Sequence, residues 1–247
     1  MPFSETLRKP KFWLIAVPVA ILLAVTVGPF VYINFIKEDA PDRLSFDDLG
    51  TTTSTAAGAT DTTAAGTTGD ATGDGIEGSW EVAGGSTAGY RATEVLFGQS
   101  TEGAGRTEDV TGTLVIEGTS ATEASFEVDL TTLTSDEDRR DGQVQSRILE
   151  TSQFPTASFE LTEPIEFAEV PDDLQEITAE ATGDLTVHGV TQSVTFDLSA
   201  RRNGATIEVT GSIPITWADY DIDDPSGGPA QVEDSGEMEF ALSFSKG

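Results

Sequence analysis

From about residue 79 to the C-terminus, apolar and polar positions alternate with a period of two. Tyr90, Ala92 and Leu96 alternate with Arg91, Thr93 and Val95. Phe126, Val128 and Leu130 alternate with Glu127 and Asp129. Ile177, Ala179, Ala181, Gly183 and Leu185 take turns with Thr178, Glu180, Thr182 and Asp184, and Val194, Phe196 and Leu198 with Thr195, Asp197 and Ser199. Leu114 and Ile116, then Ile207, Val209 and Ile213, and finally Met238, Phe240, Leu242 and Phe244 continue the pattern. Strict alternation predicts half-buried antiparallel strands, because successive side chains of a strand point to opposite faces. Helical periodicity shows only weakly, over Ser135–Leu149. About eight strands separated by turn residues predict an all-β sandwich or a closed barrel. A small barrel either fills its interior or holds one ligand. Many predicted inward positions are small (Ala92, Ala179, Ala181, Gly183, Gly211), which points toward free space inside.

Upstream the pattern changes twice. Residues 12–36 run without a charge for 25 residues, enough to cross a hydrocarbon core ~30 Å thick. Arg8, Lys9 and Lys11 precede the run, and Trp13 and Tyr32 sit near its ends. That arrangement predicts a transmembrane helix with residues 1–11 in the cytoplasm and the rest of the chain outside. A cleaved signal peptide is the competing reading; the length of the run and Pro29 after the small-residue stop argue for an uncleaved anchor. Residues 37–78 are dominated by Thr, Ala, Gly and Asp, with few large apolar side chains. Such a stretch buries too little surface to offset its chain entropy and reads as a flexible, disordered linker. Residues 79–247 form the folded domain.

Composition narrows the chemistry. The formal net charge is −30, which disfavours partners bound through polyphosphate, so no nucleic-acid partner is expected. The chain has no cysteine, which excludes disulfides, thiolate metal sites, a cysteine nucleophile and an acylated N-terminal Cys. Anchoring must therefore come from the apolar helix itself. His188 is the only histidine and no G-x-S-x-G elbow accompanies it, so neither a Ser-His-Asp relay nor a tight zinc site is expected. Within Val187-His188-Gly189-Val190 the histidine falls in a hairpin turn, where it either makes a turn hydrogen bond or contacts a ligand head group. Asp219, Asp221 and Asp223 echo the start of an EF-hand loop, but Asp224 and Ala230 stand where that loop needs Gly and Glu. A solvated acidic loop is the plainer account. No catalytic residue, metal or cofactor is expected.

A series of motifs runs along most of the domain: Trp80, Ser86-Thr87-Ala88-Gly89-Tyr90-Arg91 with Glu94, Gly105-Arg106-Thr107, and Val110-Thr111-Gly112. They continue with Arg140-Asp141, Phe154-Pro155-Thr156-Ala157-Ser158-Phe159, and Gly183-Asp184-Leu185-Thr186-Val187-His188-Gly189-Val190-Thr191. In this order and spacing they resemble the signature of the YceI family. The resemblance implies a lipocalin-like antiparallel closed barrel of about eight strands with one short helical insertion. It implies an elongated apolar tunnel holding a polyisoprenoid, a quinone tail or a fatty-acid derivative, with no shared catalysis. Tyr90, Leu96, Phe126, Phe159, Leu185 and Phe196 are then candidates for the tunnel wall, and Phe154 for a cap at one end. Arg140 either ties the insertion to the barrel rim with Asp141 or grips a head-group oxygen. The expected partners are a long-chain lipid and the membrane, with the domain a monomer or a homodimer. The alternative is a structural or adhesive envelope module with a filled barrel.

Overall fold

The computed structural model describes residues 40–49 and 75–247 apart from 168 and 229, together with positions 17, 18, 21, 27, 28 and 31. The chain divides into two compact units, residues 1–40 and 41–247. In the first, positions 17, 18, 21, 27, 28 and 31 are helical. The anchor predicted over residues 12–36 and most of the predicted linker otherwise lie outside the described residues. Among the described residues no helix is long and apolar enough to cross a membrane.

The second unit is built on twelve strands: β1 (Gly78–Val82), β2 (Thr87–Leu96), β3 (Gln99–Thr107), β4 (Val110–Glu117), β5 (Ser120–Asp129), β6 (Thr134–Ser135), β7 (Thr156–Leu161), β8 (Ile165–Glu166), β9 (Ile177–Val187), β10 (Val190–Asn203), β11 (Thr206–Thr216) and β12 (Ala230–Lys246). Every named pairing is antiparallel. Eight strands close a ring in the order β1-β4-β5-β7-β9-β10-β11-β12, with β1 returning to β12. The long β12 makes this possible. Its last residues pair with β1 at Phe244↔Val82, while its first half pairs with β2, which carries β3 and β6 outward. Closure leaves few unpaired strand edges. Tight hairpins join neighbours: Phe97-Gly98 and His188-Gly189 both place two residues at positive φ, the backbone that matches strand twist in a two-residue turn.

One short helix, α1 (Asp138–Gln143), runs into a π-helical turn over Val144–Ile148. This is the insertion predicted from Ser135–Leu149, and it lies between β6 and β7. Val144 and Leu149 bury their side chains in the barrel core with Leu130 and Leu133.

One part of the stretch read as linker is folded. Residues 41–49 lie on the outer face of the barrel, with Phe46 and Leu49 buried beside the outward Ala241 of β12. A 3₁₀ turn (Phe46–Asp48) is held by a capping box: the Asp48 carboxylate accepts from Ser45 N–H at 2.8 Å, and Ser45 Oγ accepts from Asp47 N–H at 3.3 Å. Arg201 lies over the Phe46 ring, 4.3 Å from its centroid. The strap also covers a buried charge network. Arg91 Nε is 3.3 Å and Arg106 Nη2 3.0 Å from the Glu239 carboxylate, and Arg91 Nη2 donates to the Pro41 carbonyl at 2.6 Å. Pairing is what lets such charges lie out of water.

Candidate functional site

The alternation of the strands aims one row of side chains into the barrel, and the two halves of that lumen differ. Across the middle stand four phenylalanines from four strands: Phe126 on β5, Phe159 on β7, Phe196 on β10 and Phe240 on β12. Their rings touch in a closed circuit, with centroids 5.5 Å (Phe126–Phe159), 5.4 Å (Phe159–Phe196), 6.0 Å (Phe196–Phe240) and 5.4 Å (Phe240–Phe126) apart. Edge and offset contacts at such spacings are the favoured geometry for aromatic rings.

Two of these rings sit where neighbouring strands carry glycine. A side chain at Gly183 would run into Phe159, and one at Gly211 would meet Phe240 at 2.5 Å. The glycines read as empty space are therefore covered by rings, and the space they release is already used. Open room exists instead beside alanines. Above the phenylalanine floor, a cavity of about 120 Å³ is lined by Ala121 and Ala124 of β5, Ala179 and Ala181 of β9, and Leu198 and Ala200 of β10. Leu161, Ile207, Val209, Leu242 and Phe244 are among the other residues of its wall. Phe167 and Pro171, from the loop between β8 and β9, border it at the barrel end where β10 terminates, beside Arg201 and Arg202. Apart from those two arginines, every lining residue is apolar.

Below the floor the lumen is packed. Leu185, Val187, Ile213, Ile215, Trp217 and Tyr220 are all buried there. The elongated tunnel implied by the resemblance therefore stops at the phenylalanines, because β11 and the following turn fill that half with large side chains. Tyr90 also lies on the packed side, its ring over Gly105. Burial, which outweighs the opposing Arg140 charge, pushes the Tyr90 hydroxyl well above its ordinary pKa, and the hydroxyl oxygen has no hydrogen-bond partner.

The predicted site residues thus separate into two groups. Phe126, Phe159 and Phe196 line the cavity as its floor. Tyr90, Leu96, Arg140, Phe154, Leu185 and His188 do not border it. Leu185 is the direct ladder partner of Phe159 across β7 and β9 and is buried in the core. Leu96 ends β2 opposite Ala230 and is half-buried. Arg140 pairs with Asp136 and, at 3.3 Å, with Glu94 of β2. Burial disfavours its charge, but those two carboxylates outweigh burial and its pKa is raised. Asp141 accepts from Ser135 Oγ at 2.5 Å, so the two residues tie α1 to the strands around it. Phe154 meets His188 edge-on at 4.5 Å and leaves no room for a side chain at Gly189. His188 Nδ1 lies 3.2 Å from the Tyr220 carbonyl, in the turn where the sequence places it. Among the described residues, no three His, Asp or Glu gather as a metal site, Asp219, Asp221 and Asp223 included.

The barrel has known counterparts. A family model described as the YceI-like domain matches residues 80–244. The chain belongs to the YceI family. Among solved structures, a polyisoprenoid binding domain from Saccharophagus degradans, implicated in plant cell wall breakdown, is 18% identical and superposes with a TM-score of 0.55. The match covers 68% of this chain and 98% of that one. BcnA of Burkholderia cenocepacia is 21% identical over 63% of this chain and 95% of its own, with a TM-score of 0.49. The Campylobacter jejuni YCEI protein is 12% identical over 56% of this chain and 83% of its own, at 0.44. No curated protein matches closely enough to count as a relative. At 18% identity the Saccharophagus degradans domain establishes a shared fold and nothing more. In this YceI domain the lumen has a boundary, with alanines above the phenylalanines and packed core below.

Sequence reasoning passed over several of the wall residues. Ile207, Val209, Leu242 and Phe244 were legible as inward-facing from alternation, but nothing in the pattern says which inward residues meet empty space. Arg202 was legible in another way. It continues the inward register Phe196, Leu198, Ala200 of β10, so a charge stands where the period calls for an apolar side chain.

Proposed function

We propose that this YceI domain binds one long apolar lipid, tail first, in the cavity above the phenylalanine floor, and performs no chemistry on it. The observation that carries this reading is the wall itself: carbon on every side, reached from one barrel end, with no titratable group beside the space except the two arginines at its rim. Each methylene moved from water into such a wall gains ~0.8 kcal/mol, so affinity needs no metal and no catalytic charge. A polyisoprenoid, a quinone tail or a fatty-acid derivative all satisfy that chemistry. The likeness to the Saccharophagus degradans polyisoprenoid binding domain supports the first of these.

The size of the cavity adds a condition. About 120 Å³ is close to the ~150 Å³ of an engineered apolar cavity that admits benzene. It receives the end of a chain, not its full length. A long tail must therefore turn the phenylalanine rings or lift the loop carrying Phe167 and Pro171. The charge-free run of residues 12–36 supports an uncleaved membrane anchor with the barrel outside the cytoplasm, close to a source of such lipids.

Filling the cavity tests the binding site. Ala179→Phe places a ring in empty space and so avoids the strain of overpacking a full core. The full chain carrying it should keep its melting temperature and lose uptake of a fluorescent polyene fatty acid. Undiminished uptake by the folded variant would place binding elsewhere.

A further inference from the structure

Arg202 is a charged residue in an apolar register. On β10 it follows Phe196, Leu198 and Ala200 at every second position, and it borders the cavity with them. It pairs across the ladder with Ile207, another wall residue, which fixes its side chain on the lumen face. Its Nε is buried and makes no hydrogen bond. The half-exposed Asp173 forms a loose ion pair with it, its Oδ1 3.8 Å from that nitrogen, too far for a hydrogen bond. Asp173 instead accepts from Gly204 N–H at 2.7 Å, so a backbone contact holds it in place. The neighbouring Arg201 is engaged on the outer face. Its Nε donates to Glu208 at 2.6 Å and its guanidinium covers Phe46. Arg202 is thus the cation at the rim with a donor left over.

A buried donor without an acceptor costs free energy, and an arginine fork matches the oxygens of a carboxylate or phosphate. In a chain of net charge −30, an anion would not be drawn to this rim by the overall field. Only a local contact can hold it. We infer that Arg202 receives the anionic head group, carboxylate or phosphate, of a lipid whose tail enters the cavity past it, the phenylalanine rings turning to admit the rest of the chain. This rests on the lipid-binding reading above and narrows it to lipids that end in an anion. The tail supplies the affinity, and Arg202 sets which end stays at the mouth and which lipids are preferred.

Native mass spectrometry of the full chain, released from detergent after incubation with lipid mixtures, tests it. Geranylgeraniol is the neutral reference, and geranylgeranoic acid and geranylgeranyl phosphate are the two anionic arms. The ratio of bound anion to bound alcohol is compared between the native chain and Arg202→Gln, so differences in micelle partitioning cancel. The ratio should fall by about tenfold or more in Arg202→Gln, in the arm whose head group is the true one, with alcohol binding unchanged. Arg202→Lys, which keeps the charge, should retain most of the preference. An equal ratio in the native chain and Arg202→Gln overturns the inference while leaving lipid binding intact. Failure of all three lipids to bind the folded native chain overturns both.

Discussion

At the scale of single residues, the site is decided by which side chain faces a glycine and which faces an alanine. Phe159 spreads over Gly183, and Phe240 over Gly211, so those glycines seat rings rather than open space. The same covering of a strand glycine by an aromatic ring stabilises sheets, because the ring shields a backbone that carries no side chain of its own. Gly211→Ala should accordingly destabilise the barrel by about 1–3 kcal/mol, since the methyl meets the Phe240 ring and must displace it. A thermal melt measures the loss, and an unchanged melting temperature would mean that the ring is free to move. Alternation made Phe126, Phe159 and Phe196 legible as inward residues. It could not make the cavity legible, because a glycine and an alanine look equally small in a sequence. The difference lies in the rotamer of a ring on the next strand. Arg140 and His188 drew attention as the conspicuous polar residues of recognisable motifs. In the structure Arg140 spends its charge on Asp136 and Glu94, and His188 turns toward the Tyr220 carbonyl.

At the scale of elements, the folded strap at residues 41–49 is the largest departure from the pattern. The composition of residues 37–78 as a whole reads as an unstructured tether, and averaging over it hides the short apolar set Leu44, Phe46 and Leu49. A local signal was present: Ser45 followed three residues later by Asp48 has the spacing of a capping box, with Phe46 directly after the cap. What the sequence could not show is the receiving surface, which is assembled from β2, β3, β10, β11 and β12. Phe46→Ala should lower stability by about 2 kcal/mol or more, from the buried ring and its contact with Arg201. It should also open the strap to proteolysis while the barrel resists. Acid should release the same element. The hydrogen bond from Arg43 holds Glu237 below the usual carboxylate range. A carboxylate whose pKa is depressed by folding stabilises the fold above its unfolded value, ~4.3, and that contribution is lost as pH falls through its folded value. Limited proteolysis at residues 41–49 should therefore be slow at neutral pH and quicken below about pH 4. A rate indifferent to pH would show that Arg43–Glu237 contributes nothing to docking. The helical insertion was the opposite case: a weak period over Ser135–Leu149 sufficed, because α1 and its π-helical turn bury only a few residues and show only a few in the pattern.

At the scale of the whole molecule, the barrel was legible and its interior only in part. Regular alternation and turn residues point to antiparallel strands in a sandwich or a barrel, the spaced family motifs point to a closed ring, and the ring is found. Whether a ring is hollow depends on how side chains from strands far apart in sequence meet, and that lies outside any local pattern. The outcome is a barrel of two halves. The half carrying α1 and the His188 hairpin is core. The other half is an apolar pocket above four phenylalanine rings, bordered by the β8–β9 loop and Arg202. The central claim is that this pocket holds a lipid, one molecule per chain. Intact-mass measurement under native conditions on the full chain purified from the cells that make it, followed by solvent extraction, tests that directly. The account predicts a single added mass that disappears on extraction and is recovered as one class of long-chain lipid. A chain that runs at its bare mass, and stays bare after incubation with a prenyl or polyene probe, would contradict it.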